Sequence, residues 1–169
     1  MNKDSEEQKL ELPLMPLELV FQALAVMGLV FLAVIFIALY KDLPEIIPTH
    51  FNIAGEPDAW GSKSSLIFLA ALPVFMFALI TVLERFPKIW NMPVQVTKEN
   101  AVRQYTLARA VLTLIKAEIV WLFTFIFYFT CQVALGNVGG MGWWLYAFFA
   151  LIVATPVALI IIARKTNKI

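Results

Sequence analysis

The stretch LELVFQALAVMGLVFLAVIFIALY occupies residues 17–40, and its only strongly polar side chains are Glu18 and Gln22. A helix needs about 20 apolar residues to cross the hydrocarbon core of a bilayer. The stretch reaches that length, lacks the period-2 alternation of a barrel strand and is far longer than such a strand. It therefore predicts a membrane-spanning helix.

Three further stretches, residues 65–83, 106–135 and 141–163, have the same apolar character. The chain of 169 residues is 61% hydrophobic and only 15% charged, whereas a typical globular domain carries about 25% charge. Four such helices in a soluble core would leave too little polar surface to cover them. We therefore expect an all-α integral membrane protein with a four-helix domain at 17–163. A compact extracytoplasmic loop at 41–64 would join the first two helices, with cytoplasmic tails at 1–16 and 164–169.

The positions of Lys and Arg predict the orientation, because cytoplasmic segments next to spans carry an excess of both. The loop at 41–64 holds only Lys41 and Lys63, the loop at 136–140 holds none, and Lys116 lies inside the third span. We therefore expect a multi-pass protein of the cell membrane with both termini in the cytoplasm and the loops at 41–64 and 136–140 outside. The basic residues assigned to the cytoplasmic side are Lys3, Lys9, Arg85, Lys88, Lys98, Arg103, Arg109, Arg164, Lys165 and Lys168.

Several functions are disfavoured by composition. A formal net charge of +1 gives no basic field of the kind that binds nucleic acid. The single cysteine, Cys131, can form neither an internal disulfide nor a thiolate metal cage. The first apolar stretch is too long for the core of a secretory signal and ends in Tyr40-Lys41-Asp42 instead of small residues, so we expect no signal peptide.

The loop DLPEIIPTHFNIAGEPDAWGSK at residues 42–63 carries the most specific pattern in the chain. Its two prolines, Pro44 and Pro48, favour extended or turn geometry. Gly55 and Gly61 can take positive φ, and Asn52 suits a side-chain-to-backbone turn. With several apolar residues among these, the loop is predicted to form a compact cap whose apolar side lies on the helix ends or the lipid interface.

This loop resembles the signature of a family known as domain of unknown function 1648. A weaker resemblance follows the second span, in Glu99-Asn100-x-x-Arg103. The family occurs in small bacterial membrane proteins and in the N-terminal part of longer proteins similar to the sporulation-delaying-protein immunity protein. The resemblance implies a membrane fold and a bacterial plasma membrane, and an immunity-like or sensor-like role is one hypothesis for such a module. The residues that carry it are Pro44-x-x-Ile47-Pro48-x-His50-Phe51-Asn52-x-x-Gly55-x-x-Asp58-x-Trp60-Gly61-Ser62-Lys63.

Two interpretations of the loop residues stay open. In the first, they contact a peptide or another ligand at the outer surface; the candidates are His50, Asn52, Gly55, Asp58 and Trp60. In the second, His50 and Asn52 only tie the loop together, and the motif residues with a structural role are Pro44, Pro48, Phe51, Gly61 and Lys63. One histidine without cysteine is a poor ligand supply for a transition metal, so we expect neither a metal nor a cofactor.

A second group of polar residues lies along the third span: Asn100, Arg103, Arg109, Lys116 and Glu118. Arg109 and Lys116 share one face of a helix with Thr113. Lys116 is expected either to extend to the headgroups or to pair with another helix. Glu118 lies about 200° around the helix from Lys116, so it needs a partner elsewhere or a proton. A proton or ion role is the sharper alternative for these two residues. Asn100 and Arg103 fit ordinary capping or headgroup contact, or a docking site for a cytoplasmic protein.

Three functions follow as hypotheses. The first is a non-enzymatic membrane module whose outer loop binds or senses a peptide. The second is an accessory or regulatory subunit of a larger membrane complex, and the third is an ion-coupled transporter or membrane enzyme. No nucleophile, metal or phosphate-loop motif supports catalysis, so the chain is predicted not to be an enzyme. The expected partners are the lipid bilayer and either a peptide ligand or a membrane or cytoplasmic protein, without nucleic acid.

Overall fold

The computed structural model describes residues 12–166, without the side chain of Thr166. Of the predicted tails at 1–16 and 164–169, residues 1–11 and 167–169 lie outside the described residues, and residues 164–166 form the end of α4. The helices and strands are α1 (Pro16–Leu39), β1 (Ile46–Phe51), β2 (Pro57–Ser62), α2 (Ser65–Leu83), α3 (Ala101–Ala134) and α4 (Trp144–Thr166), with short 3-10 turns at Tyr40–Asp42 and Pro87–Ile89.

All four helices are long and apolar enough to cross a membrane. The first, second and fourth predicted spans coincide with α1, α2 and α4 to within three residues at each end. The third differs more, since α3 begins at Ala101 and extends the predicted span by five residues. At about 1.5 Å per residue, its 34 residues measure about 51 Å, well beyond the roughly 30 Å of a hydrocarbon core.

The prediction of an all-α fold is wrong in the loop at 41–64, where β1 and β2 pair as an antiparallel hairpin. Ile47 lies opposite Gly61, and Phe51 opposite Pro57, with an irregular register on either side of His50. β-branched and aromatic side chains favour extended backbone, but a two-stranded sheet is marginal by itself. Here β1 also packs against α3, so the helices supply the support that a free hairpin lacks.

Helix α3 is the centre of the molecule, since α1, α2 and α4 each pack against it. The mean hydropathy of α3 is 2.0, whereas the other three helices have values from 2.6 to 2.8. Although α3 is the least apolar helix, it is the most buried of the four. The more apolar helices surround it and expose long apolar side chains. This is the reverse of a soluble bundle and is typical of a protein that resides in lipid.

The α1–α3 contact is especially close around Gly28. The Trp121 indole donates a hydrogen bond to the Leu24 carbonyl over 3.0 Å, and the Thr124 hydroxyl donates to the Gly28 carbonyl over 3.3 Å. Small residues allow helix backbones to approach in this way. These bonds align the two helices along their middle turns.

The two ends of the helix bundle have different chemistry. At the hairpin end, α1, β1, α2 and α3 meet in a buried apolar cluster of Leu32, Ile35, Leu43, Ile47, Leu66, Phe127 and Cys131. At the opposite end, which we name the basic end, the α2–α3 connection lies near the start of α1 and the end of α4. The described basic residues there are Arg85, Lys88, Lys98, Arg103, Arg109, Arg164 and Lys165.

Candidate functional site

The hairpin is fixed to the helices by its first strand. Ile47 and Pro48 of β1 are buried, whereas most residues of β2 are exposed. Lys63, just after β2, donates to the Leu43 carbonyl over 3.3 Å and pairs with Glu45 at 3.0 Å. Its ammonium group also lies 5.5 Å from the centre of the Tyr40 ring. The family-motif residue Lys63 therefore joins the base of the hairpin to the end of α1.

The turn of the hairpin is closed by Asn52 and docked through Gly55. The Asn52 side chain accepts a hydrogen bond from the Glu56 amide at 3.0 Å. Gly55 has a φ of +78°, which favours glycine, and its carbonyl accepts a bond of 2.8 Å from the Met141 amide. A side chain at Gly140 would overlap this same carbonyl. The turn therefore lies directly on the α3–α4 connection, and Asn52 and Gly55 have structural contacts.

Three of the predicted ligand-contact residues, His50, Asp58 and Trp60, are exposed on the hairpin surface. The His50 Nδ1 and the Asp58 carboxylate lie 2.5 Å apart across the two strands. The Trp60 side chain is 53% exposed, and Ile53 at the turn is 88% exposed. Exposed aromatic and apolar side chains on a fixed scaffold are typical of a contact surface.

The predicted structural residues of the motif lie in several environments. Pro48 is buried and Phe51 is half-buried, whereas Pro44 is exposed. A side chain at Gly61 would approach the Thr49 methyl group to 2.9 Å, so this glycine permits close pairing of β1 with β2. Within residues 12–166, His50 is not part of any group of three His, Cys, Asp or Glu side chains that could hold a metal ion.

At the basic end, Arg109 of α3 forms a two-point ion pair with Glu18 of α1. The Nε and Nη2 atoms of Arg109 lie 2.8 and 3.1 Å from the two carboxylate oxygens. Arg109 also donates to the Pro13 carbonyl over 2.6 Å, and Glu18 accepts from the Met15 amide at 2.8 Å. This planar pairing suits a guanidinium group and fixes the start of α1 against α3.

About two turns further along α3, Lys116 is fully buried and pairs with Glu84 at the end of α2, over 2.7 Å. The same ammonium donates to the Thr81 hydroxyl over 3.2 Å, and the Thr113 hydroxyl donates to the other Glu84 oxygen over 2.9 Å. The sequence predicts that Lys116 either extends to the headgroups or pairs with another helix, and in the structure it pairs with Glu84 at the end of α2. Glu84 and Thr81 were absent from the predicted site. The signal for Glu84 was its position immediately after an apolar span.

Glu118 points away from Lys116 and contacts α4. The Thr155 hydroxyl donates to one oxygen of its carboxyl group over 2.5 Å. The other oxygen is buried without a hydrogen-bond partner among the described residues. Glu118 therefore has its partner on another helix, as one of the two expectations required, but that partner is a neutral hydroxyl group.

Asn100 and Arg103 do not join this polar stripe. The Asn100 side chain accepts from the Thr97 amide at 2.8 Å and donates to the Gln95 carbonyl at 3.1 Å, which closes the turn before α3. Arg103 is exposed. Glu99, at the end of this turn, is exposed, and a hydrogen bond with the Thr97 side chain lowers the pKa of its carboxyl group below the usual value. The structure thus divides the predicted inner group into a buried stripe and an exposed turn.

These features define a class of small helical protein: four potential membrane spans around a polar central helix, with a β-hairpin fixed to one end. Residues 27–80, from α1 through the hairpin into α2, match the model of a family described as a domain of unknown function, DUF1648. An uncharacterized protein of the archaeon Archaeoglobus fulgidus is 39% identical over 62 residues, which cover 32% of this chain and 34% of that protein. The aligned part is thus about a third of the archaeal protein. No solved structure matches the chain.

The family match confirms the resemblance at the level of this domain, because it includes the whole hairpin motif. Neither match bears on the immunity-like proteins, on a bacterial setting or on the orientation in the membrane. Those expectations stay predictions.

Proposed function

We propose that this chain is a non-enzymatic membrane module whose hairpin recognises an extended cationic peptide at the outer surface of the cell membrane. The observation that carries the proposal is the exposed second strand of a hairpin that the helices hold in place. Within the described residues the sheet has only two strands, so β2 offers one edge of backbone groups without a strand partner. An extended peptide can pair with such an edge.

The side chains around this edge favour a particular peptide chemistry. Trp60 and Ile53 provide exposed apolar surface. The segment at 41–64 contains four acidic residues against two lysines: Asp42, Glu45, Glu56 and Asp58 against Lys41 and Lys63. Its negative charge would attract cationic peptides, and Trp60 would bind their apolar residues. Membrane-active peptides combine these two features.

The orientation in this proposal comes from charge. The basic end carries most of the lysine and arginine residues, which favours the cytoplasm, and the hairpin end then faces outward. An immunity-like role would follow if the hairpin captured toxic peptides before they entered the bilayer, in the bacterial plasma membrane that the resemblance implies.

Binding can be tested with the full chain in nanodiscs of zwitterionic lipid and a fluorescent, lysine- and leucine-rich amphipathic peptide. We expect binding above that of empty nanodiscs, and about tenfold weaker binding after Trp60→Ala, because an anchoring tryptophan contributes well over 1 kcal/mol. Trp143→Ala is the matched control, since Trp143 is a similarly exposed tryptophan at the same end. Equal binding to empty and loaded nanodiscs, or equal losses in both variants, would contradict the proposal.

The cellular role needs a separate measurement. Cells that lack the gene should become more sensitive to cationic membrane-active peptides. The wild-type gene should restore resistance and Trp60→Ala should not. Unchanged sensitivity in the deletion strain, together with normal peptide binding in nanodiscs, would keep recognition but remove the immunity-like role.

A further inference from the structure

A cavity of about 1290 Å³ opens at the basic end, between the α2–α3 connection and the first turns of α3. It exceeds the roughly 300–1,000 Å³ of ordinary small-molecule pockets. Its wall includes Arg85, shortly after α2, and Lys98, shortly before α3. Both side chains belong to exposed residues, so their charged groups can reach a ligand in the opening.

The charge of the cavity is positive once its internal pairs are considered. Glu84 is the only carboxylate among the described lining residues, and Lys116 and Thr113 already bind its two oxygens. Arg109 also lines the cavity but is paired with Glu18. The positive charges of Arg85 and Lys98 are therefore not offset by a second carboxylate in the described lining, and the cavity favours an anion.

The rest of the wall is apolar. Phe86 and Ile89, in the connection after α2, are 53% and 65% exposed and line the same cavity as the basic groups. Leu12, just before α1, adds a further apolar side chain. A free phosphate ion would use only the charged part of this wall, whereas an anionic amphiphile would use both parts.

The position of the cavity agrees with a lipid ligand. Arg85 lies two residues beyond the end of α2 and Lys98 three residues before the start of α3. Span ends lie near the headgroup region of a bilayer, and basic pockets between spans are a recurrent site for anionic headgroups. The Tyr105 side chain lines the same cavity, and its hydroxyl group can donate to a phosphate oxygen.

We propose that this cavity binds one anionic phospholipid, with Arg85 and Lys98 on the headgroup phosphate and Phe86 and Ile89 against the acyl chains. The site lies at the opposite end of the molecule from the hairpin. It is therefore independent of peptide recognition, and each proposal can fail without the other.

Native mass spectrometry of the detergent-purified full chain tests the site, with phosphatidylglycerol and phosphatidylcholine added as probes. We expect retention of one phosphatidylglycerol in preference to phosphatidylcholine. The double variant Arg85→Gln/Lys98→Gln should lose at least about tenfold in apparent affinity, because it removes both charge-assisted hydrogen bonds to the phosphate. Arg103→Gln/Arg164→Gln is the matched control: it removes the same charge from exposed residues at the same end that do not line the cavity, and it should bind like the wild type.

Two results would overturn the proposal: equal retention of the two lipids by the wild type, or equal losses in the two double variants. Glycerol 3-phosphate identifies the source of the phosphate. If this soluble probe displaced phosphatidylglycerol at equal concentration, the ligand would be a soluble phosphate and the lipid assignment would be wrong. Thermal unfolding checks that the variants fold, and should Arg85→Gln/Lys98→Gln not fold, the single variant Arg85→Gln replaces it with the same expected direction.

Discussion

Among the residues that the structure describes, Lys116 is the most deeply buried charged side chain. Taking a charge out of water is expensive, and the cost is offset only by a well-placed partner and further hydrogen bonds. Glu84, Thr81 and Thr113 supply these from two helices. The pair thus fixes the rotation of α3 relative to α2, and Arg109 with Glu18 does the same for α1.

We expect Lys116→Met to reduce the free energy of unfolding by about 3 kcal/mol, because it leaves the Glu84 carboxylate with a neutral hydroxyl donor as its remaining partner. The double variant Lys116→Met/Glu84→Gln should recover most of this loss, since neither residue is then charged. Denaturation in mixed detergent micelles measures both values.

The control is Arg103→Met, which removes an exposed charge from the same helix and should change stability by less than about 0.5 kcal/mol. Equal losses for Lys116→Met and Arg103→Met, or a double variant less stable than either single one, would contradict a structural ion pair.

At this scale, the sequence predicts which residues are polar but not which partners they have. The spacing of Arg109, Thr113 and Lys116 predicts that they share one face of a helix. In the structure all three side chains make polar contacts with neighbouring helices or helix ends. The partner Glu84 lies 32 residues earlier in the chain, and no local pattern encodes the rotation of α2 that brings it there. The exposed pair of His50 and Asp58 depends in the same way on the register of two strands.

Among the elements, the contact of α1 with α3 depends on a glycine. A side chain at Gly28 would lie 2.7 Å from a methyl group of Val120, which is fully buried, and 3.3 Å from the Trp121 indole nitrogen. A distance of 2.7 Å is too short for two carbon atoms, so either the buried Val120 side chain or the two helices would have to shift. Separation would lengthen the hydrogen bond from Trp121 to the Leu24 carbonyl.

We therefore expect Gly28→Ala to destabilise the protein by about 1–2 kcal/mol through overpacking. This loss exceeds the gain of up to about 1 kcal/mol that alanine brings to a helix interior. Gly139→Ala is the control, because nothing lies within 4 Å of the position of its new side chain. Denaturation in mixed micelles measures both variants, and a Gly28→Ala protein as stable as the wild type would show that α1 and α3 can separate without loss.

The elements differ in how well the sequence predicts them. A helix that must cross lipid satisfies its own backbone hydrogen bonds, so apolar length alone predicts α1, α2 and α4 closely. For the hairpin the sequence predicts only a compact cap, because Pro44 and Pro48 indicate extended or turn geometry without indicating which segments pair. Its stability depends on Ile47 against the helices and on Gly55 against the α3–α4 connection, and both contacts are remote in sequence.

For the whole molecule, the main feature is that its acidic and basic surfaces lie at opposite ends. The hairpin end contains acidic and aromatic surface, and the basic end contains the cavity and most of the cations. A bilayer with a negative inner surface attracts the basic end. The length of α3 is compatible with this arrangement, because its 34 residues exceed the thickness of a hydrocarbon core and would allow its first turns to reach the headgroup region on that side.

This separation predicts which end of the molecule faces the outside of the cell, and labelling at a single introduced cysteine can test it. Cys131, the only native cysteine, is fully buried, so it should not react with a membrane-impermeant maleimide and gives a silent background. Ile53→Cys places a thiol at the 88% exposed turn of the hairpin, and Ile89→Cys places one at a 65% exposed position of the basic end. Because the two changes remove the same side chain from exposed sites, they differ mainly in the end of the molecule that they label.

We expect Ile53→Cys to react in intact cells and Ile89→Cys only after the cells are broken open. The reverse pattern would turn the hairpin toward the cytoplasm and remove peptide capture at the cell surface. The lipid cavity would then belong to the outer leaflet, where its binding of phosphatidylglycerol in detergent would be unchanged.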